Sequence, residues 1–134
     1  MHTYQYTVTN ETSGTIKSFW IKHKPDQHSD QDDWGYGTNL EPNAHSPLIE
    51  ISINAGVPNG GSGPDYTDDV WVVSWTDSDN NLYSTQDYEF VYTVKNVANA
   101  PVQISIAEDL VTFEQQDVST QQFGVHDYGK SYSS

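Results

Sequence analysis

The first group of side chains that could do chemistry is acidic. Asp65, Asp68 and Asp69 place three carboxylates within five consecutive residues. Carboxylate oxygens are the ligands that a hard cation such as Ca2+ prefers in proteins. The group directly precedes an apolar run that is typical of a strand, so its backbone would be held beside a rigid element. These three residues are therefore a candidate calcium site.

A second acidic segment, Asp77–Asn81, has the Asp-x-Asp-x-Asn spacing with which an EF-hand calcium loop begins. The rest of that signature is missing, because the sixth position is Leu82 instead of glycine and the twelfth is Tyr88 instead of glutamate. Asp and Asn are also common residues of hairpin turns, which is the simpler interpretation. Asp77 and Asp79 are secondary candidates for calcium ligands.

A third group, from His23 to Trp34, combines two imidazoles with four carboxylates. Nitrogen and oxygen ligands of this kind bind zinc or copper. Their spacing matches no metal-site signature, and a polar loop with negative charge explains the same residues without a metal. The lysines beside this segment would then pair with its carboxylates, among them Asp26 and Asp30.

The aromatic residues form a fourth group. Trp71 and Trp75 alternate on one face of an apolar run and are predicted to lie in the core. Trp34 and Tyr36 differ, since glycines and an acid surround them in the segment Asp33–Gly37. Exposed aromatics in such a loop either stack on sugar rings or enter a lipid interface. Packing beneath the loop is the alternative, and Trp34 and Tyr36 are the candidate ligand-binding residues.

Signatures of catalysis are missing from the sequence. It contains no Gly-x-Ser-x-Gly nucleophile elbow. The glycine-rich stretch Gly60–Gly63 matches no phosphate-binding fingerprint and leads into acidic residues that would repel phosphate. We therefore expect a binding protein, not an enzyme.

Net charge restricts the partners. The chain of 134 residues has 19 acidic residues against five lysines and no arginine, and a formal net charge of −14. Nucleic acids and anionic membranes would be repelled, because their binding depends on lysine and arginine. Cations, neutral glycans, zwitterionic lipid head groups and basic proteins remain as partners.

The sequence also restricts redox chemistry and location. Cysteine is absent, so disulfides and thiolate metal sites are excluded. No run reaches the roughly 18 apolar residues of a membrane helix. The first residues alternate polar and aromatic types without the apolar region of a signal peptide. These features predict a protein that is cytoplasmic or released without a signal peptide.

Period-two alternation of apolar and polar residues predicts strands along most of the chain. We expect an all-β protein: a single antiparallel β-sandwich of about seven to nine strands, spanning residues 1–134, with a flexible tail at 129–134. Val70–Thr76 is apolar on both faces and is predicted to be a central strand. Two long polar loops are expected at Lys24–Pro47 and Ala55–Asp69.

Size, low pI and the order of features over residues 4–115 resemble the aegerolysins and their relatives, which are small acidic β-sandwich proteins. The segments that carry the resemblance are Tyr6–Thr12, Ile16–Ile21, Leu40–Pro42, Ile49–Ile53, Val70–Trp75 and Leu82–Tyr83. The resemblance implies non-enzymatic recognition of membrane lipids, in some members as half of a two-component pore-forming or insecticidal toxin.

The leading functional hypothesis is recognition of a neutral or zwitterionic membrane lipid or glycan at a target cell surface, with Trp34 and Tyr36 as contacts. One alternative is a calcium-dependent lectin-like or calcium-stabilised module centred on Asp65, Asp68 and Asp69. Another is an acidic inhibitor or partner subunit of a basic protein, bound through complementary charge.

Overall fold

The computed structural model describes residues 2–24, 33–53, 66–85, 89–95, 101–116 and 118–130, and these ranges contain strands and turns without a helix. The ten strands are β1 (His2–Asn10), β2 (Ile16–Lys24), β3 (Asp33–Leu40), β4 (Ile49–Ile53), β5 (Tyr66–Asp77), β6 (Asn81–Thr85), β7 (Phe90–Lys95), β8 (Val102–Ile106), β9 (Leu110–Gln115) and β10 (Val118–Lys130). The all-β class is confirmed, with ten strands instead of the expected seven to nine.

The strands form one large folded sheet. Its order is β3-β2-β5-β6-β10-β9-β8-β1-β4, and β7 pairs with β5. The 13-residue strand β10 joins the two layers of this sheet, because its first half pairs with β9 and its second half with β6. Because β10 is mostly polar, the alternation pattern did not predict it. The strand includes Gly129 and Lys130, which were predicted to belong to a flexible tail.

One pair of strands departs from the expected antiparallel arrangement. β1 lies parallel to β8, with Tyr6 opposite Val102 and Asn10 opposite Ile106, whereas the other described pairings are antiparallel. A parallel pair needs a long crossover connection. The chain from β2 to β7, part of which runs through the other layer, provides it.

β5 is a central strand, as predicted. It pairs along one side with β2, while β7 and then β6 share its other side. Its apolar residues are buried on both faces, with Val72 at 3% exposure on one and Trp71 at 0% on the other. Trp71 contacts Tyr6 of β1 and Phe113 of β9 edge-on, so the two layers share one aromatic core.

The two loop predictions were each partly wrong. β3 lies inside the predicted loop Lys24–Pro47, and β5 begins at Tyr66, inside the predicted loop Ala55–Asp69. The sequence pattern did not predict β3 because its inward positions are Gly35 and Gly37, which break the alternation of apolar and polar residues. A glycine in a strand often marks a place where another group comes close to the backbone.

Candidate functional site

Trp34 and Tyr36 project from the outer face of β3. The side chain of Trp34 is 47% exposed and that of Tyr36 is 63% exposed. Their rings are nearly parallel, with centroids 6.2 Å apart and an interplanar angle of 13°. Of the two alternatives that the sequence left open, exposure and packing beneath a loop, the structure shows exposure, and it places both aromatics on a strand and not in a loop.

The inward glycines of β3 explain this placement. A Cβ atom on Gly35 would overlap the hydroxyl of Tyr6, and one on Gly37 would overlap the ring of Phe19. Both neighbours are buried, at 0% and 2% exposure. Because successive residues of a strand point to opposite faces, Trp34 and Tyr36 are directed outward.

Two residues of β2 complete this surface. Lys22 is the register partner of Trp34, and Trp20 is the register partner of Tyr36. Directly opposite residues of an antiparallel pair have Cβ atoms about 4.5–5.5 Å apart. We call the surface formed by Trp20, Lys22, Trp34 and Tyr36 the aromatic face. Sequence reasoning missed Trp20 and Lys22 as members, although they alternate with the buried residues Phe19 and Ile21.

Two lysines of β2 lie at or beside the aromatic face and pair with one carboxylate. The Lys22 and Lys24 ammonium groups lie 3.2 Å and 3.5 Å from the same Glu89 carboxylate oxygen. The hydrogen bond from Lys22 is the main reason that the pKa of Glu89 is held below its ordinary value. The lysines thus pair with Glu89, whereas the predicted partners Asp26 and Asp30 lie outside the described residues. The two lysine charges are therefore offset by Glu89, and the Asp33 carboxylate, on a side chain 32% exposed, lies on the neighbouring strand.

His23, from the predicted transition-metal loop, lies in β2 and is fully buried. Its Nε2 atom is 2.5 Å from Asp69 Oδ2, and its Nδ1 atom is 3.4 Å from Asp33 Oδ2. Asp69 is itself fully buried. The histidine therefore contacts one carboxylate of β3 and one of β5, and its contact with Asp69 joins two strands that are 46 residues apart in sequence.

The candidate calcium residues are only partly located by the structure. Asp65 lies outside the described residues, Asp68 is a residue of β5, and the Asp69 carboxylate contacts His23. Among the side chains that the structure describes, no three His, Cys, Asp or Glu residues are grouped to hold a metal ion. Calcium binding stays a prediction.

Asp77 organises the β5–β6 hairpin. Its Oδ1 atom accepts hydrogen bonds from the backbone N–H groups of Asp79 and Asn81, and its Oδ2 atom accepts from Asn81 Nδ2 and the Tyr83 hydroxyl. Partial burial raises the pKa of Asp77, but these hydrogen bonds outweigh it, and the net direction is downward. This geometry agrees with the turn interpretation of Asp77 and Asp79.

A groove of about 300 Å³ lies beside this hairpin. Trp75 and Tyr83, which stack with ring centroids 5.3 Å apart, belong to its lining, and Asp77, Asp79 and Glu108 are acidic residues of the same lining. Glu108 accepts hydrogen bonds from the backbone and the hydroxyl of Ser13, which lower its pKa. Asp77 thus holds its own hairpin turn, and Glu108 joins its turn to the one that contains Ser13.

The described part of the chain contains no helix that is long and apolar enough to cross a membrane. The sequence matches no model of a known protein family, and a search of curated proteins finds no relative. The resemblance to aegerolysins therefore rests on the sequence features alone.

Proposed function

We propose that the protein binds a neutral or zwitterionic lipid or glycan of a target cell surface through its aromatic face, without changing it chemically. The observation that carries the proposal is the nearly parallel pair of exposed rings, Trp34 and Tyr36, on one strand. Indole and phenol rings join an apolar body to a polar tip, which suits both sugar rings and the bilayer interface.

The backbone beneath the rings supports this role because it is held in place before a ligand arrives. β3 is paired with β2 from Asp33 to Leu40. Gly35 and Gly37 rest against Tyr6 and Phe19 from the opposite layer and the neighbouring strand. Ordering a binding surface in advance reduces the entropy lost on association.

Electrostatics favour the proposed ligand class over polyanions. A net charge of −14 repels nucleic acids and anionic bilayers, whereas neutral and zwitterionic surfaces carry no net charge to oppose. Lys22, a member of the aromatic face, would donate a charge-assisted hydrogen bond to the phosphate of a zwitterionic head group. By its resemblance to aegerolysins, the protein would act as a component of a pore-forming or insecticidal toxin system.

The test is a double variant, Trp34→Ala with Tyr36→Ala, assayed for sedimentation with phosphatidylcholine vesicles and for binding to an array of neutral glycans. Central aromatic anchors of interfaces commonly contribute 2 kcal/mol or more, so we expect binding to fall by about tenfold or more. Vesicles containing phosphatidylserine should bind the unchanged protein more weakly than pure phosphatidylcholine vesicles do.

Tyr128→Ala is the matched control, because Tyr128 is a 53% exposed aromatic on β10. β10 is four strand spacings from β3, which corresponds to about 19 Å across the sheet. Undiminished binding of the double variant to every vesicle and glycan would contradict the proposal. An equal loss in Tyr128→Ala would show that the contact is not specific to Trp34 and Tyr36.

A further inference from the structure

We infer that Glu89 is a specificity-determining residue of the aromatic face: its carboxylate pairs with both Lys22 and Lys24, offsets their charge and so excludes anionic ligands. The described contacts of these three side chains carry the geometric part. The consequence for ligand choice rests on the proposed function. Exclusion of anionic surfaces then depends on one local carboxylate in addition to the net charge of the chain.

One carboxylate oxygen of Glu89 meets both lysines. Glu89 Oε2 lies 3.2 Å from Lys22 Nζ and 3.5 Å from Lys24 Nζ. The two lysines are two positions apart on β2, so their side chains leave the same face of the strand. Trp20, the other member of the aromatic face on β2, lies on that face too. We call the group formed by Lys22, Lys24 and Glu89 the lysine bridge.

The lysine bridge passes over the outer face of β5. On one side of β5, Lys22 is the register partner of Val72. On the other side, the first residue of β7, Phe90, pairs with Trp71. Glu89 precedes Phe90 and therefore comes level with Val72. Because the charged ends of Lys22 and Glu89 meet, their side chains cross above Val72, which is 3% exposed.

Partial burial distinguishes the lysine bridge from a loose surface contact. The side chains of Lys22, Lys24 and Glu89 are 15%, 26% and 37% exposed. Fully exposed ion pairs are screened by water and salt, whereas partly buried pairs are screened less. The hydrogen bond from Lys22 also lowers the pKa of Glu89, so the carboxylate stays ionised at neutral pH. The two ammonium groups are thus held on a fixed anion.

Asp33 is a further carboxylate near this end of β2. It is the register partner of His23 and contacts its ring. The Asp33 charge remains in every Glu89 variant, so it does not affect a comparison between such a variant and the unchanged protein. Removal of the Glu89 charge leaves the ammonium groups of Lys22 and Lys24 without the carboxylate that they share.

The charge of a binding surface decides which bilayers it accepts. One positive charge beside an anionic bilayer strengthens association by about fivefold. In the unchanged protein the Glu89 carboxylate would face such a bilayer together with the two lysines, and would offset one of them. A phosphatidylcholine bilayer has no net charge to repel a carboxylate. Glu89 therefore acts against anionic ligands in particular.

The test compares Glu89→Gln with Glu11→Gln in the full chain, by sedimentation with phosphatidylcholine vesicles that contain phosphatidylserine. Each variant removes one negative charge from an exposed glutamate. Glu11 precedes β2, and Lys22 lies six residues beyond the start of that strand, at Ile16, which corresponds to about 20 Å. We expect Glu89→Gln to bind these vesicles about fivefold more strongly than the unchanged protein does, and Glu11→Gln less than about twofold more strongly.

Three further measurements distinguish charge from structure, because loss of a residue that only supports the fold would not strengthen binding. The gain should disappear at about 1 M salt. Lys24→Gln added to Glu89→Gln restores the original charge and should cancel the gain. Glu89→Ala removes the same carboxylate and should show the same gain. Equal binding of Glu89→Gln and Glu11→Gln at low salt would overturn the inference, as would a gain that persists at high salt or after Lys24→Gln is added.

Pure phosphatidylcholine vesicles and neutral glycans separate the two proposals. If the unchanged protein binds neither, the proposed function is contradicted, while a gain of Glu89→Gln over Glu11→Gln on anionic vesicles still supports the charge control by Glu89. If the unchanged protein binds phosphatidylcholine and Glu89→Gln shows no gain on anionic vesicles, the role of Glu89 alone is contradicted.

Discussion

The backbone of Gly35 lies directly against the hydroxyl group of Tyr6, so closely that a Cβ atom at residue 35 would overlap it. The same atom would lie 3.1 Å from Ile49 Cγ2 of β4. β3 and β4 are the two ends of the strand order, and this contact is where the folded sheet brings them together. The aromatic face is thus built on a backbone that fits tightly over the core.

Gly35→Ala should destabilise the protein by about 1–3 kcal/mol, because overpacking forces Tyr6 or β3 to move. The gain in unfolded-state entropy from replacing glycine is smaller. Urea unfolding measures the effect. Gly14→Ala is the control, since nothing lies within 4 Å of its Cβ position. Equal stabilities of the two variants would contradict the tight fit at Gly35.

Asn10→Asp tests the buried turn between β1 and β2. Asn10 Nδ2 donates to the carbonyl oxygens of Gly14 and Leu40, both at 2.8 Å, and Asn10 is fully buried. A carboxylate would face those carbonyls without a donor, so we expect a loss of about 2–4 kcal/mol.

Asn39→Asp adds the same charge at an exposed position of β3 and should change the free energy of unfolding by less than about 0.5 kcal/mol. Asn39 has φ 53°, which aspartate tolerates. If thermal and urea unfolding show similar effects for both variants, added charge and not the lost hydrogen bonds accounts for the change at Asn10.

Asp77 should make stability depend on pH in the acidic range. Its hydrogen bonds hold its pKa in the folded protein below the ordinary value of 3.8. A lowered pKa means that its contribution is complete above the unfolded-state value and is lost as the pH falls through the folded-state value. Asp77→Asn should therefore cost about 1 kcal/mol at neutral pH and progressively less below about pH 4.

Urea unfolding of the unchanged protein and of Asp77→Asn between about pH 7 and pH 3 measures this difference. Asp109→Asn serves as a charge-matched control at an exposed position. A stability difference for Asp77→Asn that stays constant over the whole range would show that ionised Asp77 does not hold the hairpin.

The calcium hypothesis makes a separate prediction. Calcium binding at Asp65, Asp68 and Asp69 would raise the melting temperature by mass action, by the equivalent of about 2.7 kcal/mol at a calcium concentration 100 times the dissociation constant. Asp65→Asn with Asp68→Asn should abolish that rise and leaves the Asp69–His23 contact unaltered. Identical melting curves in calcium and in chelator would remove calcium from the functional hypotheses.

Local patterns in the sequence were sufficient to predict one central strand and one hairpin turn. Alternation and apolar content identified Val70–Thr76 as a central strand, and Asp and Asn placed the turn at Asp77–Asn81. A strand pattern and a hairpin turn both depend on residues that are close in sequence, and the conformational preferences of such residues are the same in many folds. β3 could not be found this way, because its inward residues are glycines that show their role only against Tyr6 and Phe19.

The sequence by itself determined the all-β class and the acidic net charge and made Trp34 and Tyr36 candidates, since composition and period-two alternation are local properties of the chain. The tertiary structure decided that Lys22 and Trp20 lie opposite those rings, and that His23 meets Asp69 across 46 residues of sequence. The physical reason is register: strand pairing is a long-range choice made by packing of the whole sheet, and a shift of one residue would turn every side chain to the other face.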